Sequence, residues 1–287
     1  MTPRELLKKT TIRFREAGVP DPETDSALLL SHLTGRAPLM LRLDSDTRLP
    51  DFVLDGYEEL CVKRESGVPL QYICGTARFF GRDFYTDERA LIPRPETEQL
   101  IEIAVNHCRE NRLIYPTVLD LCTGSGCIGI TMKMTLPGSR VFMTDISRDA
   151  VALARKNMLR YDAPVQILTG DLFEPVYGMK FDLILSNPPY IPTGECETLQ
   201  REVRDHEPRI ALDGGEDGLF FYRRIANEAP DYLKSGGMLM MEIGYSQARD
   251  VGDLLDKAGF TDIMSWHDFN GHDRIITGRL AEVDHVR

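Results

Sequence analysis

From residue 96 onward, short aliphatic runs alternate with longer amphipathic stretches, and this alternation restricts the possible folds more than any other feature. Val118-Leu119-Asp120-Leu121 reads as a strand and 126–135 as a helix; Arg140 to Thr144 reads as a strand and Asp149 to Arg160 as a helix. Val165 to Leu168 and Phe181 to Leu185 are further strands. Asp217 to Leu233 reads as one long helix. Gly236-Gly237, the strand Met238 to Ile243, a helix over 246–258 and two strands near 261–266 and 273–279 follow it. Alternation of this kind predicts an α/β domain with a mostly parallel sheet, helices on both faces and an antiparallel pair at the end.

The preceding residues obey different rules. Residues 1–75 read as a small helical bundle used for packing or partner recognition, with no catalytic cluster. Leu6, Leu7, Thr10, Phe14 and Ala17 form a stripe that ends at Gly18. Asp21-Pro22-Glu23 combines a capping Asp with Pro at the first helical position, and Gly35 stops that helix. Val53, Tyr57, Leu60 and Cys61 lie on one face of a helix running from near Pro50 to Gly67. Between 76 and 95, Arg78-Phe79-Phe80 and Asp83-Phe84-Tyr85 flank Gly81 as a hairpin. In Ile92-Pro93-Arg94-Pro95-Glu96-Thr97, two prolines force extended backbone. This stretch is expected to be a linker, leaving 96–287 as the catalytic domain.

Charge divides along the same line. Residues 1–95 carry 14 basic and 15 acidic side chains, and residues 96–287 carry 20 and 30. So acidic a domain disfavours tight binding to a polyphosphate backbone, and no direct nucleic-acid binding is expected. No apolar run approaches the roughly 18 residues of a membrane-spanning helix, and the N-terminus lacks the apolar centre of a signal peptide. A cytoplasmic protein with no membrane partner is the expectation. The 6 cysteines include no C-x-x-C pair and the 6 histidines complete no zinc site, so reduced cysteines and no metal are expected.

Chemistry concentrates in two loops. Asp120-Leu121-Cys122-Thr123-Gly124-Ser125-Gly126 follows the first strand, and Gly124, Gly126 and Gly129 satisfy G-x-G-x-x-G. Such glycines let backbone turn sharply and approach a cofactor. Asp145, ending the next strand, is placed to accept the ribose hydroxyls of a nucleoside cofactor. These features suit NAD and S-adenosylmethionine equally. The later loop decides between them: Phe181 to Ser186 runs into Asn187-Pro188-Pro189-Tyr190. Prolines remove backbone donors and keep their carbonyls, Asn187 adds a side-chain acceptor, and Tyr190 adds an aromatic face. A stiff cradle of acceptors suits a planar NH2 group, either a carboxamide or an exocyclic base amine.

Together, Asn187-Pro188-Pro189-Tyr190 and the Asp120 to Gly126 loop resemble those of class I methyltransferases acting on amide or aryl amine nitrogen. More narrowly, the chain resembles the PrmC/HemK family, the peptide chain release factor glutamine methyltransferases. The resemblance also runs through Pro69 to Ile73, Leu91 to Glu98, Glu207-Pro208, Ala211 to Gly215, Asp217-Gly218-Leu219, Glu242-Ile243-Gly244 and Asp273-Arg274. It implies a Rossmann-like, mostly parallel seven-stranded sheet preceded by the helical bundle. The implied reaction is methyl transfer from S-adenosylmethionine, leaving S-adenosylhomocysteine, to the glutamine of a Gly-Gly-Gln motif in release factors. Asn187, Pro188, Pro189 and Tyr190 are then the substrate cradle, with Asn187, Pro188 and Tyr190 counted as catalytic. Cys122, Thr123, Gly124, Ser125, Gly126, Asp145, Leu172 and Asn187 are the implied cofactor contacts. Asp171 could accept from the adenine amine or cap a short turn, and Arg94 and Glu96 could order a lid or pair with each other. Family members usually have Gly where this chain has Cys122; a strand-like backbone, tolerant of a small side chain, is expected there. The competing readings are an adenine-amine methyltransferase on nucleic acid, a glutamine methyltransferase for another translation protein, a nicotinamide oxidoreductase, and a non-enzymatic cofactor-binding module.

Overall fold

Thr2 opens the chain with a capping box: its hydroxyl accepts from the Glu5 N–H, and the Glu5 carboxylate accepts from the Thr2 N–H. The computed structural model describes residues 1–281. Helices α1 (Pro3–Glu16), α2 (Pro22–Thr34), α3 (Pro38–Leu43), α4 (Asp51–Glu65) and α5 (Leu70–Cys74) come first. The hairpin β1 (Thr76–Phe79) and β2 (Arg82–Tyr85) follows, then α6 (Glu98–Glu110), β3 (Thr117–Leu121), α7 (Cys127–Thr135) and β4 (Arg140–Asp145). Next are α8 (Arg148–Arg160), β5 (Gln166–Thr169), β6 (Phe181–Ser186) and α9 (Arg201–His206). The described chain closes with α10 (Phe220–Glu228), β7 (Leu233–Glu242), α11 (Ala248–Lys257), β8 (Phe260–His267) and β9 (Asp273–Leu280).

These elements form two compact units. One comprises Met1–Thr76 together with Gln200–His206, and the other Ala77–Leu199 with Glu207 onward. In the first, the α1 stripe (Leu7, Phe14) meets Leu29, Leu30, Leu41, Val53, Tyr57 and Cys61 in one apolar core. Burying each such side chain contributes about 1.5–3 kcal/mol. Arg64 of α4 is almost fully buried, yet it is satisfied: it donates to Asp25 of α2 at 2.7 Å, Glu202 of α9 at 2.7 Å and the Val68 carbonyl at 3.1 Å. Asp21 precedes α2 as expected, but its side chain makes no capping hydrogen bond; Pro22 and the left-handed Gly35 define the ends of that helix.

In the second unit the sheet order is β5-β4-β3-β6-β7-β9-β8, parallel throughout except for β9, which is antiparallel to both its neighbours. Alternate residues feed opposite faces. Val118, Leu183 and Leu185 enter one core cluster, while Leu119, Leu121 and Ile184 enter the other. Phe79 and Phe84 of the hairpin are buried in the first of these clusters. The long helix expected over 217–233 is shorter: α10 stops at Glu228, a 3-10 turn covers Ala229–Asp231, and the chain is already in β7 at Leu233. Pro230 supplies the physical reason, since it has no N–H with which to continue the helical ladder. Strand order reverses direction between β3 and β6, and in an open α/β sheet ligands bind in the crevice at the carboxyl ends of the strands there.

Candidate active site

The loop leaving β3 turns through three left-handed positions, Cys122 (φ 57°), Gly124 (φ 54°) and Gly126 (φ 83°), before entering α7. The strand-like backbone expected at Cys122 is therefore wrong. A side chain occupies a conformation that costs an L-residue roughly 1–2 kcal/mol, which explains why glycine suits this position. Asp120 ties the loop down from beneath. Its Oδ2 accepts from the Thr123 hydroxyl at 2.5 Å and from the Gly129 N–H at 2.9 Å. Gly129 has to be glycine for packing, because a Cβ there would lie 2.6 Å from Met143 Cγ and 3.1 Å from the Asp120 carboxylate. Burial pushes the Asp120 carboxyl up to about 7, against the pull of those two donors.

Asp145, at the end of β4, accepts from the Gly124 N–H at 2.8 Å through one oxygen and from the Ser147 N–H at 2.9 Å through the other. Each oxygen keeps a further lone pair for a ligand. Burial raises its carboxyl above the ordinary range while these two N–H groups pull it down. Leu172 follows β5 in a second non-glycine left-handed conformation (φ 44°), with its carbonyl held by the Thr144 hydroxyl at 3.0 Å.

A cavity at this edge of the sheet is lined by Cys122, Thr123, Gly124, Ser125, Asp145, Leu172, Asn187 and Pro189 among the anticipated residues. Gly126, Pro188 and Tyr190 do not line it. Gly126 makes the turn into α7, Pro188 is buried, and the Tyr190 hydroxyl donates to Glu242 Oε1 at 3.3 Å. The segment after the four-residue motif packs closely on it: a Cβ on Gly218 would lie 2.4 Å from the Tyr190 carbonyl oxygen.

The cavity is also lined by Arg94 and by Ile92, Thr97, Phe220, Phe221 and Arg224, to which the sequence assigns no role. Arg94 pairs with Glu207, whose other oxygen accepts the Ile92 N–H at 3.0 Å, so of the two alternatives for Arg94 and Glu96 their mutual pairing does not occur. Asp171 is paired with Arg224 at 2.9 Å, and that guanidinium lies over the Phe220 ring. Nothing in the spacing of Asp171 and Arg224 along the chain signals this contact. Behind the cavity, buried Glu242 at the end of β7 accepts from the Thr97 hydroxyl at 2.5 Å, and Asn187 Nδ2 donates to the same hydroxyl at 3.3 Å. Among the described residues, no group of His, Cys, Asp and Glu is arranged to hold a metal ion, and no helix is long and apolar enough to cross a membrane.

Comparison with known proteins bears on this arrangement. Residues 5–75 match the PrmC N-terminal domain and residues 101–206 the methyltransferase small domain. A release factor glutamine methyltransferase of Geobacter sulfurreducens is 42% identical across 98% of this chain and 97% of its own. The chain belongs to the release factor glutamine methyltransferase family. A family member from Chlorobaculum tepidum is 41% identical over 94% of both chains. With solved structures the likeness is one of fold. A Pyrococcus furiosus methyltransferase superposes with a TM-score of 0.52 at 18% identity, covering 71% of this chain and 91% of that one.

Proposed function

We propose that this protein transfers a methyl group from S-adenosylmethionine to the side-chain nitrogen of the glutamine in the Gly-Gly-Gln motif of peptide chain release factors, in the cytoplasm. The observation that carries the reading is Asn187, lining the cavity at the carboxyl end of β6 in a chain identical at 42% to a family member over nearly its whole length. The cavity suits S-adenosylmethionine: it combines a left-handed backbone loop, a carboxylate with spare lone pairs at Asp145 and the apolar Leu172. Cys122 to Ser125 would hold the amino-acid end, Asp145 the ribose, and Leu172 the adenine. Once bound, this cofactor supplies a methyl carbon attached to a positively charged sulfur.

The protein's own work is alignment. A carboxamide nitrogen is a poor nucleophile, because its lone pair is delocalised into the carbonyl. Asn187 Oδ1 and, although the Pro188 side chain is buried outside the cavity lining, the Pro188 main-chain carbonyl would accept its two N–H bonds and aim the nitrogen at the methyl carbon. The same acceptors stabilise positive charge as it develops on nitrogen, so they bind the transition state better than the ground state. Proximity supplies much of the remaining acceleration. The proton leaves nitrogen after transfer, when that atom has become strongly acidic. Tyr190 braces this motif through Glu242, and the helical unit at residues 1–75 engages the release factor away from its glutamine.

The deciding experiment incubates the enzyme with purified release factor and isotopically labelled S-adenosylmethionine, followed by mass spectrometry of the digested factor. One labelled methyl on the Gly-Gly-Gln peptide is expected. Label that appears only on nucleic acid or on another translation protein overturns the proposal.

A further inference from the structure

The reading above gives Asn187 a role for its carbonyl oxygen, yet an amide side chain has two ends of nearly equal size. Rotated by half a turn, Asn187 would present two donors to a substrate amide that is itself a donor. Something must set the rotation. The atoms behind Asn187 do so through a chain of hydrogen bonds with a fixed direction.

The chain starts at Glu242. Residues Ser186 and Met241 are register partners in the parallel pair β6–β7, so Asn187 and Glu242 each lie one step beyond them. The Glu242 carboxylate is buried, and its two oxygens accept from different hydroxyls: Oε2 from Thr97 at 2.5 Å and Oε1 from Tyr190 at 3.3 Å. Burial raises the Glu242 carboxyl while the Thr97 and Tyr190 hydroxyls and Arg274 favour its ionised form, and in that form it only accepts, so the single Thr97 proton goes to Glu242. The Thr97 oxygen then has lone pairs to offer its other neighbour and no proton. That neighbour is Asn187, which must present its NH2 end, and Nδ2 does donate to Thr97 Oγ1 at 3.3 Å. Oδ1 is left for the cavity that Asn187 lines.

We propose that Thr97 and Glu242 are positioning residues for methyl transfer, a hydroxyl–carboxylate pair that fixes which end of the Asn187 amide faces the substrate. The inference rests on the role given to Asn187 above. It also accounts for a buried acid at the end of β7 and for a threonine before α6 that is almost wholly buried although it borders the cavity.

The test is a double-mutant cycle read as the single-turnover methylation rate at saturating S-adenosylmethionine and release factor, with cofactor affinity measured by calorimetry as the control for folding. Thr97→Val keeps shape and removes the hydroxyl, and it is expected to slow transfer about tenfold to a hundredfold, as misalignment of a reacting group does. Thr97→Ser retains the hydroxyl and should stay within about threefold of wild type, a margin too small for a misplaced reacting group. In an Asn187→Ala background, Thr97→Val should cost no further factor beyond about threefold, because a residue acting through Asn187 has nothing left to orient. Cofactor affinity should change far less than the rate throughout, because the glycine loop and Asp145 are untouched, and Thr97→Ala replaces Thr97→Val if the latter does not fold. If Asn187→Ala itself is as fast as wild type, the role of Asn187 fails. If Asn187→Ala is slow but Thr97→Val is as fast as wild type, or the two losses multiply, the positioning pair fails while the role of Asn187 stands.

Discussion

Asp120 is the carboxylic acid of the glycine loop, and its surroundings oppose its ionisation. Its carboxyl is pushed up to about 7 by burial, with Asp145 adding repulsion, although Thr123 and Gly129 favour the charged form. An unfolded Asp titrates near about 3.9. Between those values the folded protein holds a proton that the unfolded chain has released. Stability from this group is therefore complete below about pH 4, declines as pH rises, and is lost above about pH 7. Asp120→Asn keeps an acceptor for Thr123 and Gly129 and cannot ionise. Denaturant unfolding of both proteins should show the Asn variant gaining on wild type by about 2–4 kcal/mol between pH 4 and pH 8. A difference that stays flat across that range would mean Asp120 is not held protonated in the folded state.

Elements were legible in the sequence where local pattern decides them, and opaque where distant partners do. The strands from Val118 to Ile243 and the loop between Asp120 and Gly126 follow from periodicity and glycine placement, because each is encoded within about ten residues. The end of α10 depended on Pro230, whose effect overrode an apparently continuous helical stretch. Cys122 could not be placed in the left-handed region from its identity alone. Thr97 and Glu242 lie 145 residues apart, and no spacing rule reaches across that separation. Helix α9 is the extreme case: its 6 residues join the N-terminal unit although the chain on both sides belongs to the other. Arg64 is the physical cause, since it sits between Asp25 of α2 and Glu202 of α9. Removing that cation leaves a nearly buried Asp25 unpaired, a loss that typically costs about 3–5 kcal/mol. Arg64→Ala should lower the unfolding temperature markedly in calorimetry, and Arg64→Lys should recover only part of it, because Lys lacks the planar fork that reaches two carboxylates. An Ala variant that melts with wild type would show that the network contributes nothing net.

At the scale of the whole molecule, we propose that chemistry and recognition are divided between the two units. All the cavity residues belong to the second unit, whereas the first is built around its own apolar core. Cutting the chain at residue 75 would test that division poorly, since α9 would lose Arg64 and its share of the N-terminal unit. Shortening the substrate tests it with the enzyme intact. A peptide carrying only the Gly-Gly-Gln motif retains the group that reacts and gives up every contact remote from it. Binding energy from those remote contacts lowers KM, and it raises kcat only where it is used to align the glutamine. Because alignment is assigned here to Asn187 and its supports within the second unit, kcat on saturating peptide should stay within about tenfold of that on intact release factor. The value of kcat/KM should fall by at least about a hundredfold, corresponding to about 3 kcal/mol of lost recognition. Steady-state kinetics on both substrates decides the matter. Equal kcat/KM values would leave the N-terminal unit without a role in recognition, and a collapse of kcat with unchanged KM would place the alignment of glutamine in that unit instead.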